Sequence, residues 1–274
     1  MWRPFPVLGS RTAVKKTIAA GRLFCNGRLA GFSTRVKNGD RLELRGSGQQ
    51  KARQFDLKVE TVYEDDFLLV INKPAGIAVN GNRIKTVENA VAQRNQHNKQ
   101  ADALPRPIAV HRLDVPTLGL VILAKTKSAL IELSKAFQKN KVKKTYWAIA
   151  HGKAPVKGSI QLKINGKPAL THFERLRLVP SRVFQHLSLL ALYPQTGRTH
   201  QLRIHLQSEG HFIVGDKMYA QGQQTILGKG LYLCAAQLQF FHPFRKEALT
   251  LQVPLPAKFT RLLDREESRF APKK

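Results

Sequence analysis

The segment Val110–Lys125 constrains the fold of this chain more than any other part of the sequence. Asp114 stands shortly before Pro116, which cannot donate a backbone hydrogen bond and disfavours a helical residue in front of it. The apolar run Leu120–Ala124 then has the length and composition of a buried strand. The pattern predicts that Asp114 lies on a turn leading into that strand. On these residues alone, Asp114 is either a reactive carboxylate held by a packed scaffold or a turn residue that binds nearby backbone N–H groups.

The charge of the chain points to a polyanionic partner. Its 274 residues include 46 Lys and Arg against 18 Asp and Glu, a formal net charge of +28. A folded protein with such a surplus collects polyanions because it releases their condensed counterions. Nucleic acid is the leading partner, and an anionic membrane surface is the alternative. The hydrophobic content of 42% indicates a globular chain with room for one mid-sized domain and a small companion.

Several other classes of protein are disfavoured. No apolar stretch approaches the ~20 residues that span a bilayer, and no amphipathic anchor helix is evident. The first residues lack the apolar core of a signal peptide. Cys25 and Cys234 are too isolated for a disulfide framework, and His200 and His205, five residues apart, do not share a helical face for a metal. We expect a cytoplasmic monomer that needs no metal and no cofactor.

Residues 1–50 are expected to form a small basic unit of one helix and a hairpin. Ser10 can cap the helix, Gly21 can end it, and Val14 and Ile18 share its apolar face. The solvent face carries three basic residues, Arg11, Lys15 and Lys16. Leu23–Gly27 is typical of a strand that enters an Asn-Gly hairpin turn. The helix is either an RNA-binding surface or an ordinary solvated face.

The remainder of the chain, residues 57–262, alternates strand-like and helix-like runs and is expected to be the larger domain. The strand-like runs are 67–72, 119–124, 145–150, 187–193 and 231–233. The helix-like runs are 86–96, 127–138 and 198–209. Residues 46–56 are polar and glycine-rich at the start, which predicts a linker. Residues 263–274 are charged and predict a frayed tail.

Five segments resemble one known family, in the same order along the chain. His111–Asp114 with Thr117 and Gly119 resembles the signature loop of the RluA-type pseudouridine synthases, which convert uridine in RNA to its carbon-linked isomer. The other four are Leu68–Gly76, Lys144–Gly152, Gly166–Thr171, and Thr196–Leu206 with Gly215, Asp216 and Tyr219. The N-terminal pattern is similar to a small RNA-binding module first described in a ribosomal small-subunit protein.

The resemblance implies an α+β fold: a mixed, mostly antiparallel sheet flanked by helices, preceded by a small RNA-binding module of a helix and a hairpin. It also implies isomerisation of uridine in a stem-loop of ribosomal or transfer RNA. The target base must leave its stack to be reached, which costs a few kcal/mol. Asp114 would be the nucleophile that acts at the sugar, without a cofactor.

The same resemblance suggests roles for three further residues. Arg203 would pair with Asp114 and keep it ionised. Tyr146 would pack against the extruded uracil and assist in removing a proton, although a tyrosine beside a tryptophan in a strand is more often a core residue. Arg112 would fill the gap left by the flipped base, and its alternative is a simple phosphate clamp.

Three more residues are predicted RNA contacts. His111 precedes Arg112 directly, and Arg198 would order a helix start or bind a phosphate. Lys73, in an Asn-Lys-Pro turn, either contacts RNA or simply ends its strand.

Two positions depart from the family pattern. Leu118 stands where the family usually has serine, and Cys234 stands where many relatives have histidine. These departures motivate an alternative hypothesis, a non-catalytic RNA-binding or ribosome-assembly factor on the same fold.

Overall fold

The computed structural model describes residues 11–45, 55–220 and 229–270. The chain divides into two compact units, Met1–Arg53 and Gln54–Lys274. Most of the predicted linker and the predicted cap Ser10 lie outside the described residues. Within the described ranges, no helix is long and apolar enough to cross a membrane.

The first unit consists of one helix and a small antiparallel sheet, as the sequence predicts. Its elements are α1 (Arg11–Ala19), β1 (Leu23–Cys25), β2 (Arg28–Leu29) and β3 (Leu42–Leu44). In the described part, the strand order is β2-β1-β3. Asn26 and Gly27 both have positive φ, 51° and 76°, which is the geometry that an Asn-Gly hairpin turn requires.

The second unit is built on a large sheet that is mostly antiparallel. Its strands are β4 (Glu60–Glu64), β5 (Leu68–Lys73), β6 (Ala103–Ala109), β7 (Leu118–Thr126), β8 (Lys143–His151), β9 (Lys157–Ile164), β10 (Lys167–Ser181), β11 (Gln185–Pro194), β12 (Leu233–His242) and β13 (Glu247–Gln252). Over the described residues the order is β4-β5-β7-β12-β8-β11-β10-β9, with β13 beside β12 and β6 beside β7. β7 and β12 pair in parallel, and the other pairs are antiparallel.

Helices accompany this sheet. They are α2 (Val87–Ala90), α3 (Lys127–Gln138), α4 (Gln201–Ser208) and α5 (Ala257–Ser268), with a 3₁₀ turn at Ala92–Asn95. The predicted α+β class is confirmed. The predicted helix over 86–96 is in fact the short α2 followed by the 3₁₀ turn, whereas the prediction of 127–138 coincides with α3.

The centre of the sheet is buried on both faces. Leu68 and Val70 of β5 belong to one apolar cluster, and Leu69 and Ile71, which point the other way, belong to a second. A strand covered on both sides reads as a continuous apolar run, which is why β5 and β7 could be recognised. The second cluster also contains Leu113, so the core anchors the segment that carries Asp114.

The prediction of a frayed tail after Leu263 is wrong as far as Ser268. Helix α5 continues to Ser268, and Leu263 is fully buried. Glu266 is 2% exposed, accepts a hydrogen bond from Ser181 Oγ at 2.8 Å, and pairs with Arg269 at 2.8 Å. The charges of this segment therefore lie on an amphipathic helix that packs against the domain.

Candidate active site

Asp114 lies on a tight turn between Leu113, which is anchored in the core, and strand β7. The backbone N–H of Thr117 donates to the Asp114 carbonyl at 3.0 Å, which closes the turn. Gly76 N–H donates to the carbonyl of Val115 at 2.8 Å and fastens the loop to the end of β5. The Asp114 side chain is 19% exposed. It is therefore held by its neighbours while one side of the carboxylate stays accessible.

Gly119 is required where this loop enters the sheet. Its φ is +110°, and a Cβ at this position would lie 2.2 Å from the carbonyl oxygen of Ala235 on β12. A contact that short is impossible for a real side chain, so only glycine permits the parallel pairing of β7 with β12 beside the turn.

The carboxylate of Asp114 faces the guanidinium of Arg203, as predicted. Arg203 Nη1 lies 3.3 Å from Asp114 Oδ2. Arg203 Nε and Nη2 donate to the two oxygens of Asp216 at 2.7 and 2.8 Å. Arg203 and Asp216 are 6% and 1% exposed, respectively. A bidentate pair out of water fixes the plane of the guanidinium, and its remaining nitrogen is aimed at Asp114.

The pKa values of this pair shift in the directions that keep both groups charged. Burial would lower the pKa of Arg203, but the hydrogen bond and charge of Asp216, together with Asp114, raise it. Burial would likewise raise the pKa of Asp216, but Arg203 and the backbone N–H groups of Met218 and Tyr219 lower it. Arg203 therefore stays cationic and Asp216 anionic, and the guanidinium of Arg203 is the charged group of the pair that faces Asp114.

His200 and Tyr219 complete this side of the site. His200 Nε2 lies 3.6 Å from Asp114 Oδ1, and His200 Nδ1 lies 2.9 Å from the hydroxyl of Tyr219. His200 precedes α4 with a left-handed backbone, φ 55°. The Tyr219 ring lies 4.9 Å from the Arg203 guanidinium carbon. The two oxygens of Asp114 thus face different nitrogen-bearing groups.

The contacts of His200 and His205 do not support a shared metal site. His200 faces Asp114 and Tyr219, whereas His205 forms a hydrogen bond with Thr171.

Arg198 stands at the entrance of α4. Its backbone N–H donates to Gln201 Oε1 at 3.0 Å, and its Nε donates to the carbonyl of Pro168 at 3.2 Å. Gln201 also donates to Leu170 O and Thr171 Oγ1. These bonds agree with the predicted ordering of a helix start. The helix itself is shorter than the predicted 198–209.

A cleft opens in front of Asp114. It holds about 160 Å³, more than ten times the roughly 10–15 Å³ that one water needs. Its lining brings together the predicted residues Arg112, Asp114, Tyr146, Arg198 and Arg203. Arg112 is exposed at the rim. Lys144, His200 and Thr196 also line the cleft. An open, mostly cationic cleft around a single carboxylate suits a negatively charged substrate.

Tyr146 contributes a neutral phenol to this cleft. Burial raises the pKa of its hydroxyl, and the Asp114 carboxylate and the Cys234 thiol raise it further. The phenol therefore stays protonated at neutral pH. It offers a flat apolar ring and a hydroxyl that can donate a hydrogen bond.

Comparison with known proteins identifies the family of this chain. Residues 67–208 match the family model described as RNA pseudouridylate synthase. That stretch covers the turn of Asp114, Tyr146 and Arg203. The chain belongs to the RNA pseudouridylate synthases.

Individual relatives carry names of the same family. The chain is 34% identical over 247 residues to "Uncharacterized RNA pseudouridine synthase YhcT" of Bacillus subtilis, covering 83% of this chain and 79% of the relative. It is 32% identical over 282 residues to "Ribosomal large subunit pseudouridine synthase D" of Vibrio parahaemolyticus, covering 90% and 83%. The solved structure of "Human RNA Pseudouridylate Synthase Domain Containing 4" superposes with a TM-score of 0.61 at 25% identity, covering 75% of this chain and 92% of that one. The predicted family and enzyme class are confirmed: the chain is an RNA pseudouridine synthase.

Two of the predicted RNA contacts of this synthase lie away from its cleft. Lys73 is fully buried, and its Nζ donates to the carbonyls of Pro74, Ile77 and Val115 at 2.9, 2.9 and 3.2 Å. It cannot reach RNA, so that prediction is wrong. Lys73 instead links the turn after β5, at Pro74 and Ile77, to Val115 in the loop that carries Asp114.

His111 is engaged in the scaffold. Its Nε2 accepts a hydrogen bond from the backbone N–H of Ile122 at 3.0 Å, and its ring stacks on Phe137 at 4.4 Å. Burial, followed by the charge of Lys144, lowers the pKa of His111 to about 3, so the ring stays neutral. The prediction of an RNA contact for His111 has no support from these contacts, whereas its neighbour Arg112 faces the cleft.

The sequence interpretation missed roles for Asp216, His200 and Tyr219. Asp216 and Tyr219 belong to a quoted segment of resemblance, so a signal was present, but no partner could be assigned to them without the fold. For His200 the sequence pattern suggests only a metal ligand, beside His205.

The two departures from the family pattern are neighbours in this synthase. Leu118 and Cys234 are register partners where β7 and β12 run parallel. Cys234 is 1% exposed, and burial raises the pKa of its thiol to about 12, so it is neutral. The two positions at which the resemblance departs from the family pattern thus lie together in the sheet, and neither is Asp114, Arg112 or Arg203.

The first unit presents three basic side chains on its helix. Arg11, Lys15 and Lys16 are all exposed on α1. Their predicted role in RNA binding stays a prediction.

Replacing Lys73 by methionine should slow pseudouridine formation and leave RNA affinity unchanged. Methionine fills much of the space but leaves the carbonyls of Pro74 and Ile77 without the Lys73 donor and that of Val115 with only the Gly76 N–H, so Asp114 is held less firmly. We expect kcat to fall roughly 10- to 100-fold, as for a misplaced catalytic group. Single-turnover kinetics and fluorescence-anisotropy binding measure the two quantities separately. A loss of affinity with normal kcat would instead show that Lys73 contacts RNA.

The pH dependence of stability tests the burial of Lys73 independently. Burial lowers its pKa from 10.5 to about 8, against the attraction of Asp114. Between pH 8 and 10.5 the unfolded chain therefore binds more protons than the folded chain. The wild type should gain stability relative to Lys73→Met as the pH rises through this window, which urea unfolding at several pH values would detect.

Proposed function

We propose that this synthase isomerises uridine in stem-loops of ribosomal or transfer RNA, with Asp114 as the nucleophile on a flipped-out uridine. The observation that carries the proposal is the single carboxylate of Asp114, which faces a buried guanidinium and lies in an open cationic cleft. A relative is named for the ribosomal large subunit, which supports RNA of the ribosome as one substrate.

The reaction exchanges one bond between base and sugar for another. The bond from C1′ of the ribose to N1 of uracil breaks, a bond from C1′ to C5 forms, a proton leaves C5, and N1 gains one. Nothing is oxidised or reduced, so the reaction needs no redox cofactor. Asp114 divides the exchange into two steps by bonding to the sugar while the base turns over.

Each surrounding group has a definite task in this proposal. Arg203 orients Asp114 and balances its charge through Nη1, while Asp216 orients Arg203. Tyr146, which stays protonated, packs its ring against the extruded uracil. Arg112, exposed at the rim, fills the gap that the base leaves in the RNA stack, because a planar guanidinium can stack and bind phosphate.

The state of the two cysteines supports a proposal about the cellular setting. Cys25 and Cys234 are both free thiols, which fits a reducing compartment such as the cytoplasm. We propose that the enzyme acts there as a monomer.

Incubation with unmodified transcripts tests the proposal. Ribosomal and transfer RNA made in vitro, folded and then treated with a metal chelator, should acquire pseudouridine at a few loop positions when the wild-type chain is added. Chemical mapping of pseudouridine at single-nucleotide resolution, with and without protein, is the measurement. Tight RNA binding without new pseudouridine in either class of RNA would contradict the proposed substrates.

A further inference from the structure

A second groove lies outside the catalytic cleft, between the later turns of α3 and the end of β12. It holds about 340 Å³, roughly twice the volume of the cleft at Asp114. Its floor includes Leu133 and Ala136 of α3. Its sides carry an aromatic ring, Phe241, and the lysines Lys135, Lys139 and Lys141.

Phe241 is placed for contact with a partner. It is 60% exposed, whereas its neighbours Phe240 and His242 are 4% and 0% exposed. Successive side chains of a strand point to opposite faces, so Phe241 is turned out of the core that holds the other two. An exposed aromatic ring among basic residues is the arrangement on which single-stranded nucleic acids stack their bases.

The charges around the groove favour an anion. Lys139 and Lys141 are exposed and form no ion pair with any residue that the structure describes. Glu132 is the acidic residue of the lining, and it pairs with Lys135 at 2.8 Å. The groove therefore offers two uncompensated positive charges beside the ring.

The groove is connected to the catalytic cleft through packed residues. His111, next to Arg112 at the rim of the cleft, stacks on Phe137, next to Ala136 in the floor of the groove. Along the strands, Tyr146 is opposite Ala235, and Phe241 follows six residues later on β12. At ~3.3 Å per residue this is about 20 Å, the reach of several nucleotides.

We propose that this groove binds a second part of the RNA substrate: an unpaired base stacks on Phe241, and the phosphates beside it bind Lys139 and Lys141. The proposal rests on the RNA activity proposed above. It adds a docking site for single-stranded RNA that flanks the reacting stem-loop.

Binding to two matched RNAs tests the groove. One is a fluorescein-labelled stem-loop with uridines in its loop, and the other is the same stem-loop with a single-stranded uridine extension. With the extended RNA, Phe241→Ala in the full chain should weaken binding roughly 5- to 100-fold, the range for losing one stacked base, and Phe241→Trp should restore it. Lys139→Ala with Lys141→Ala should reduce the slope of log Kd against log salt by about 1 to 2. With the bare stem-loop these effects should be small.

Two matched controls carry the same chemical changes elsewhere. Phe270→Ala removes another exposed phenyl ring, and Lys153→Ala with Lys157→Ala removes two exposed lysines beyond the opposite end of β8. Neither should alter affinity for the extension. If the groove variants bind both RNAs as the wild type does, the proposal is overturned. Because the assay measures binding alone, a wild type that binds RNA but forms no pseudouridine would contradict the proposed function and leave the groove standing.

Discussion

Asp114→Asn will abolish pseudouridine formation and leave RNA binding intact. Asparagine has the same shape, and its amide oxygen can still accept the hydrogen bond from Arg203 Nη1. It cannot form the bond to the sugar that the proposed mechanism needs. We expect the single-turnover rate to fall on the order of 10⁴-fold or more, as when other catalytic nucleophiles are removed.

RNA affinity separates a lost nucleophile from a damaged site. Removing a negative charge beside a polyanion does not weaken the attraction between protein and RNA, so the Kd of Asp114→Asn should stay equal to or below the wild-type value. Asp264→Asn is the matched control, because this carboxylate is 64% exposed and pairs only with Arg177 among the described residues. It should leave both rate and affinity unchanged. If Asp114→Asn formed pseudouridine at the wild-type rate, Asp114 would not be the nucleophile.

The local sequence pattern predicted the turn that carries Asp114. Pro116 and the apolar run after Gly119 were sufficient to place Asp114 on a turn before a buried strand, because a proline and a strand constrain their own neighbours. Strand β6 was not predicted, because its own local sequence argues against a strand. It contains Pro105 and Pro107, which argue against a strand, and the structure places it beside β7 alone.

Burial and pairing across long sequence distances could not be predicted. Lys73 is 42 residues from Val115, whose carbonyl it binds, and nothing near Lys73 in sequence indicates that it is fully buried. Lysine is almost never fully buried, so exposure was the reasonable expectation. The sequence likewise predicts the same task for His111 and Arg112, but adjacent residues can point to opposite sides of a backbone. The fold turns His111 into the scaffold, and Arg112 faces the cleft.

Replacing Arg203 will remove both stability and activity. Arg203→Met leaves Asp216, 1% exposed, as a buried charge without its guanidinium partner. Breaking one member of a buried ion pair costs about 3 to 5 kcal/mol, so urea unfolding should show a loss of that size in the free energy of unfolding. Arg203→Lys should not restore it, because a single ammonium cannot donate to both oxygens of Asp216 and also reach Asp114.

A double variant distinguishes the structural role of Arg203 from its role beside the nucleophile. In Arg203→Met with Asp216→Asn, no buried charge remains, and the amide oxygen at 216 can still accept from the backbone N–H groups of Met218 and Tyr219. Much of the lost stability should return, since replacing a whole buried pair by neutral groups is often close to neutral. Activity should not return, because no guanidinium then faces Asp114. If the stabilised double variant formed pseudouridine at the wild-type rate, Arg203 would act only on the fold, and the proposed balance of charge at Asp114 would be wrong.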